Sequence, residues 1–164
     1  MSTQIYPEKD AKKVWRFEEL TLSIQWVRDH YCGYVRFKER PFREKGYDGI
    51  LTYVPVHGGI TYADQDKQGM VYGFNCAHCG DYTGPVYEQA PEGYKVWQED
   101  MVIAETEKLA KGLLAAVKFE KRYLTNISNK GKAKVIDEYH KELGEKFNVG
   151  DNFGASLKLL SGRL

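Results

Sequence analysis

The sequence predicts an α+β domain in which an N-terminal, mostly antiparallel sheet is packed by two C-terminal helices. Three observations carry that prediction. Nine of the 12 tyrosines lie between Tyr31 and Tyr94, and nine of the 16 glycines between Gly46 and Gly93, so strand formers and turn formers share the middle of the chain. Period-2 alternation recurs in the first half, as at Leu22, Ile24 and Trp26. From Gln98 onward Lys, Glu, Leu and Ala dominate, and these favour helix. Strands first and helices after is the α+β order rather than a βαβ alternation.

Each element follows from its own residues. Residues 1–11 are polar and are expected to form a loose arm. Residues 14–17 and 20–28 read as strands. Residues 32–38 alternate again after the turn signal of Asp29 and His30, which predicts a hairpin. Residues 39–49 contain Pro41 and two glycines and read as a loop. Short strands are expected at 50–54 and 60–62, on either side of His57-Gly58-Gly59, and at 70–75. Residues 82–93 hold Gly84, Pro85, Pro91 and Gly93 and should cross the surface as a loop. Over 98–119 the spacing predicts a long helix: Val102, Leu109, Leu113 and Val117 share a face with Thr106, Ala110 and Leu114. Glu99 and Asp100 suit its positive end and Lys118 its negative end. Residues 126–131 break the pattern. A second helix is expected over 133–147, with Val135, Ile136, Tyr139, Leu143 and Phe147 on one face, followed by an apolar-tipped tail at 150–164. The 164 residues make one domain: arm 1–11, sheet and loops 12–97, helices 98–147, then the tail.

Bulk properties narrow the function. The formal net charge is +1, so the chain lacks the basic field of a bulk duplex nucleic-acid binder. No apolar run approaches the roughly 18–20 residues that span a bilayer, and the polar N-terminus has no apolar signal core. Three cysteines cannot all pair within the chain, which fits a reducing compartment. A cytoplasmic protein with a small-molecule or protein partner is the expectation, and the amphipathic helix and tail leave room for a homodimer. A basic stretch between Lys118 and Lys134 reads as a solvated face.

Two segments concentrate the chemistry. The first is Val56-His57-Gly58-Gly59-Ile60-Thr61-Tyr62. Adjacent glycines let a ligand approach the backbone, and their amides can cradle an anion. The imidazole before them titrates near neutral pH and suits proton transfer or metal binding. Thr61 and Tyr62 add hydroxyls; a plain tight turn with a surface histidine is the competing reading. The second segment is Gly73-Phe74-Asn75-Cys76-Ala77-His78-Cys79-Gly80-Asp81. Here His57 and His78 can serve as acid and base with Asp81 as the orienting carboxylate, and Gly58, Gly59, Thr61, Tyr62, Asn75 and Cys76 as ligand contacts. Alternatively, Cys76 and Cys79 form a CxxC that could grip zinc, with His57, His78 or Cys32 completing the set. Buried free thiols with a capping aspartate are the structural alternative. A thioredoxin-like role is disfavoured, because Gly80 to Pro85 cannot continue a helix.

With those residues in place, the chain resembles a family of small proteins from bacteria and their phages. The resemblance rests on Cys32-Gly33-Tyr34-Val35, Tyr47-Asp48, the HGGxTY and GFxCxHxGD patterns at His57–Tyr62 and Gly73–Asp81, and Ala104 to Ala110. It covers roughly residues 15–117. Arg40-Pro41 replaces a His-Pro pair of that family, and Cys79 stands where it has a small residue. That weakens the zinc alternative and favours His57, His78 and Asp81. The resemblance brings no activity with it, but it implies a phage or prophage setting and hence a host cytoplasm.

The leading expectation is a pocket for a phosphate-bearing, nucleotide-like ligand. The Gly58 and Gly59 amides would hold the anion, Tyr34, Tyr62 or Tyr72 would stack on a base, and the two histidines would transfer protons in a hydrolase. A ligand-sequestering binder without catalysis, a protein–protein inhibitor presenting its tyrosine-rich loops, and a zinc-dependent or zinc-stabilised domain are the alternatives.

Overall fold

The computed structural model describes residues 7–42, 46–47, 49–84, 89–125, 134, 137–139 and 141–142. Five antiparallel strands form one sheet: β1 Lys13–Phe17, β2 Leu20–Val27, β3 His30–Phe37, β4 Tyr62–Asp66 and β5 Gly69–Asn75, in spatial order β1-β2-β3-β5-β4. One long helix, α1 Glu99–Thr125, lies against β2 and β3. The α+β architecture is therefore as the sequence predicts. Among the described residues no helix is long and apolar enough to cross a membrane.

The pleat sorts the strands into two faces. Leu22, Ile24, Val35, Phe37, Met70, Tyr72 and Phe74 share the face under α1 and are buried. Val102, Leu109, Ala110 and Leu113 meet them from α1, and burial of one such leucine contributes roughly 1.5–3 kcal/mol. Thr106 is also fully buried. Its hydroxyl donates to the Val102 carbonyl at 2.7 Å, and it packs over Gly33, where a Cβ would overlap both Thr106 and Phe74. The helix can approach the sheet closely because residue 33 has no side chain.

Several elements differ from the sequence expectation. Residues 50–54 are not a strand: Gly49–Tyr53 is a 3-10 helix, closed by the Val54 amide donating to the Leu51 carbonyl at 3.2 Å. Leu51 and Val54 are three residues apart and both buried, a helical spacing that β-branched composition obscured. Of residues 60–62 only Tyr62 is in a strand, and β4 runs on through Ala63-Asp64-Gln65-Asp66, a sequence with few strand formers. The turn after β2 is Arg28-Asp29, with Arg28 at φ 59°, and His30 already belongs to β3. The helix continues to Thr125 rather than 119. Pro7 and Glu8 of the expected loose arm are held on the face of the sheet opposite α1. Of the second expected helix, Lys134, Asp137–139, Lys141 and Glu142 are helical; its other residues, His140 and the tail lie outside the described residues.

Candidate functional site

Two tight turns meet where β5 ends and α1 begins. In the first, the Gly59 amide donates to the Val56 carbonyl at 2.9 Å with Gly58 at φ 69°, a type II arrangement that presents His57. In the second, the Asp81 amide donates to the His78 carbonyl at 2.9 Å with Gly80 at φ 89°, a second turn of the same kind. The backbone of Gly80 to Tyr82 is bridged to Lys95, which places Trp97 beside the second turn.

Asp81 is the hub. Its side chain is 2% exposed. One oxygen accepts from the Trp97 indole at 2.9 Å; the other accepts from the His78 amide at 3.0 Å and contacts His57 Nε2 at 2.6 Å. Burial pushes the Asp81 carboxyl up. The hydrogen bonds from His57, Trp97 and the His78 amide outweigh that and hold it below the ordinary 3.8. An ionised carboxylate only accepts, so His57 Nε2 carries the hydrogen; in the neutral ring Nδ1 then holds the lone pair. The His57 side chain is 24% exposed, and its backbone amide donates to Glu105 of α1 at 2.7 Å. Its ring packs against Trp97 (centroids 4.7 Å apart) and edge-on to His78 (5.3 Å). The His78 ring lies against Gly58, where a Cβ would overlap it, and its Nε2 is buried without a hydrogen-bond partner. Lys95 Nζ sits 3.8 Å from the Trp97 ring centroid, a cation–π contact at the edge of the cluster.

The expected catalytic trio, His57, His78 and Asp81, is thus brought together from two turns more than 20 residues apart. The expected ligand contacts divide. Gly58 belongs to the cluster, but the Gly59 amide is consumed by its turn. Thr61, Tyr62 and Asn75 make other contacts. Asn75 donates to Thr61 Oγ1 at 3.1 Å and accepts from the Ala77 amide, the work of a turn former. Tyr62 packs edge-on to Tyr34 on the sheet face away from α1, and Tyr72 is fully buried in the core. The three tyrosines therefore do not form one stacking platform. Cys76 is buried and Cys79 exposed. Burial, then the negative charge of Asp81, pushes the Cys76 thiol up, so it stays a neutral core residue. Among the described residues no three of His, Cys, Asp and Glu converge on a point that could hold a metal, Cys76, Cys79 and His57 included.

Sequence reasoning missed Trp97, Glu105 and Lys95. Trp97 offered one signal, an indole between a Gly/Pro-rich loop and a helix start. Glu105 offered none, since a glutamate on a helix is ordinarily solvated. Cavities of about 380 Å³, beside Leu20, Phe37, Pro41 and Val117, and about 170 Å³, beside Phe119 and Tyr139, open elsewhere.

The depressed carboxyl of Asp81, and that of Asp66 beside the Arg36 guanidinium, have a pH consequence. The unfolded chain binds these protons at higher pH than the native one. The stabilisation is therefore complete above the unfolded value near 3.8 and is lost as pH falls through the lower native values. A urea midpoint measured from pH 7 to pH 2 should drop below about pH 4, and Asp81→Asn should flatten that drop. An unchanged acid limb in the variant would remove Asp81 from the account.

Compared with known proteins, the chain matches no family model, no curated sequence and no solved structure.

Proposed function

We propose that the chain is a small-molecule hydrolase acting on a phosphate-bearing, nucleotide-like ligand, with His57 as its general base. One observation carries this reading: a buried, three-donor Asp81 holds His57 in a single tautomer, while the imidazole keeps part of its surface in solvent. The same arrangement, a buried carboxylate fixing which imidazole nitrogen holds the lone pair, orients the general base of hydrolytic triads. In the proposed reaction His57 Nδ1 takes a proton from water, the water oxygen bonds to phosphorus, and the bond to the leaving oxygen breaks. His78, protonated at the start, gives its proton to that oxygen, and exchange with solvent then removes the proton from His57 and restores the one on His78. The Gly58 amide and the Lys95 ammonium supply positive charge for the phosphate. The pairing of the HGGxTY and GFxCxHxGD segments, each contributing one histidine, supports the same reading.

The test starts with native mass spectrometry of fresh protein for a co-purifying ligand. It continues with chromatography of nucleoside phosphates, cyclic nucleotides and dinucleotides after incubation with the chain. Turnover is expected to fall at least about 100-fold in His57→Ala and in His78→Ala, the scale of a lost acid–base group. Binding lost in both variants, with no product from wild type, would instead identify a sequestering protein. If neither substitution changes binding or turnover, the site assignment is wrong.

A further inference from the structure

The sheet face away from α1 is polar yet covered. Ser23, Gln25 and Arg36 point to it and are 1%, 6% and 7% exposed, beside Cys32, Tyr34 and Val71. Part of that cover is the turn at Pro7–Asp10, which precedes β1 and lies outside the strand ladder. The Gln25 amide donates to the Pro7 carbonyl at 2.6 Å. Arg36 is committed on two edges of its guanidinium. Nη1 and Nη2 donate to Asp66 at 2.6 and 2.7 Å; Nε and Nη2 donate to Glu8 at 2.5 and 3.1 Å.

The two carboxylates differ in kind. Asp66 belongs to β4, is 6% exposed, and is a fixed wall of the face. Glu8 is 23% exposed and arrives on a short segment from outside the sheet. Lifting that segment would leave Arg36 with its Asp66 partner but with a second fork edge unmet in a largely dry setting. Such an edge selects a planar, bidentate oxyanion, and a carboxylate fits it better than water does. Gln25 adds a donor for the backbone carbonyl of the residue before that carboxylate. Together they read a two-point pattern, a carbonyl followed by the next residue's carboxylate. The Pro-Glu pair meets it with a ring that fixes φ in advance.

We propose that this face is a docking groove for an extended acidic peptide segment of a partner protein, and that Pro7 and Glu8 occupy it in cis until the partner competes. The selectivity comes from fork geometry, since Asp66 already balances the charge of Arg36. The inference is independent of the His57 site, which lies at the other face.

The experiment uses the full chain and an acetylated, amidated peptide of residues 6–11, Tyr-Pro-Glu-Lys-Asp-Ala, as the probe. A short tethered arm competes at an effective concentration in the millimolar range. The peptide should therefore bind the Glu8→Ala chain about tenfold more tightly than wild type by calorimetry. The same peptide with Gln for Glu should bind at least about tenfold more weakly, and adding Arg36→Lys to the Glu8→Ala chain should do likewise, by loss of the bidentate pair. Should Glu8→Ala fail to fold, wild type titrated with millimolar peptide should show shifts of the Gln25 side-chain amide by NMR, and the Gln peptide should not produce them. Equal binding of the Glu and Gln peptides, or no binding to either chain, would overturn the proposal. So would a wild-type dimer that Glu8→Ala abolishes, which would make the groove a seat for a second copy of the chain.

Discussion

Replacing Asp81 with alanine is expected to destabilise the protein by about 3–5 kcal/mol, the cost of stranding the buried donors that its carboxylate satisfies. The carboxylate accepts from the Trp97 indole, the His78 amide and the His57 ring. Each donor stranded in a dry site costs about 1–3 kcal/mol. The figure is set below the sum because His57 is part-exposed and can turn to water. In a domain of this size the melting temperature should fall by roughly 6–20 °C. Asp81→Asn separates fold from chemistry. Its amide oxygen can still accept from Trp97, but its NH2 leaves the His78 amide without an acceptor and faces His57 Nε2, which must become the acceptor. The proton then moves to Nδ1, where the proposed base should be. Asp81→Asn should therefore lose less stability than Asp81→Ala, since the Trp97 bond survives, while losing nearly as much turnover as His57→Ala. Urea denaturation and kcat on the three variants check this. A kcat for Asp81→Asn near wild type would end the tautomer argument.

Gly58→Ala is the second large effect, expected at about 2–5 kcal/mol. Two costs add. Gly58 sits at φ 69°, where an L side chain costs roughly 1–2 kcal/mol. Its Cβ would also overlap the His78 ring, which must move, and overpacking of that kind costs about 1–3 kcal/mol. Gly59 provides the control, because it has φ 80° and open space where its Cβ would stand. Gly59→Ala should cost only the backbone share, about 1–2 kcal/mol. The difference between the two variants isolates the contact between Gly58 and His78. If Gly58→Ala and Gly59→Ala have equal denaturation midpoints, the histidine does not lean on Gly58 in solution.

Much of this was legible in the residues. Alternation in β2 and β3 and the apolar stripe of α1 each follow from one period; the strands were read nearly to their ends, while the helix runs six residues beyond the expected 119. The failures share a cause, which is that context overrode composition. Residues 63–66 look like a loop because they are Ala-Asp-Gln-Asp, yet they pair with β5, and Asp66 is needed there for Arg36. Residues 50–54 are apolar and β-branched, yet their burial against α1 selects a 3-10 turn. At the site, unusual residue types marked His57, His78 and Asp81. Of their partners, Trp97 carried only the weak signal of an indole before a helix start, and Glu105 is set by tertiary approach alone. The face of each tyrosine was likewise hidden until register was known, since one residue of slip exchanges the faces.

The strand order also fixes when the His57–Asp81 pair can form. Strands β1, β2 and β3 are joined by two-residue turns and need only short loops to close. Strand β5 must bridge about 30 residues to reach β3, and His57 meets Asp81 only once β5 is seated and Glu105 has drawn the first turn onto α1. Assembly should therefore run from a native-like meander without the pair to the complete molecule, with substitutions at Asp81 changing the unfolding rate far more than the folding rate. The proposed catalytic arrangement would be the last thing the chain acquires and the first that it gives up.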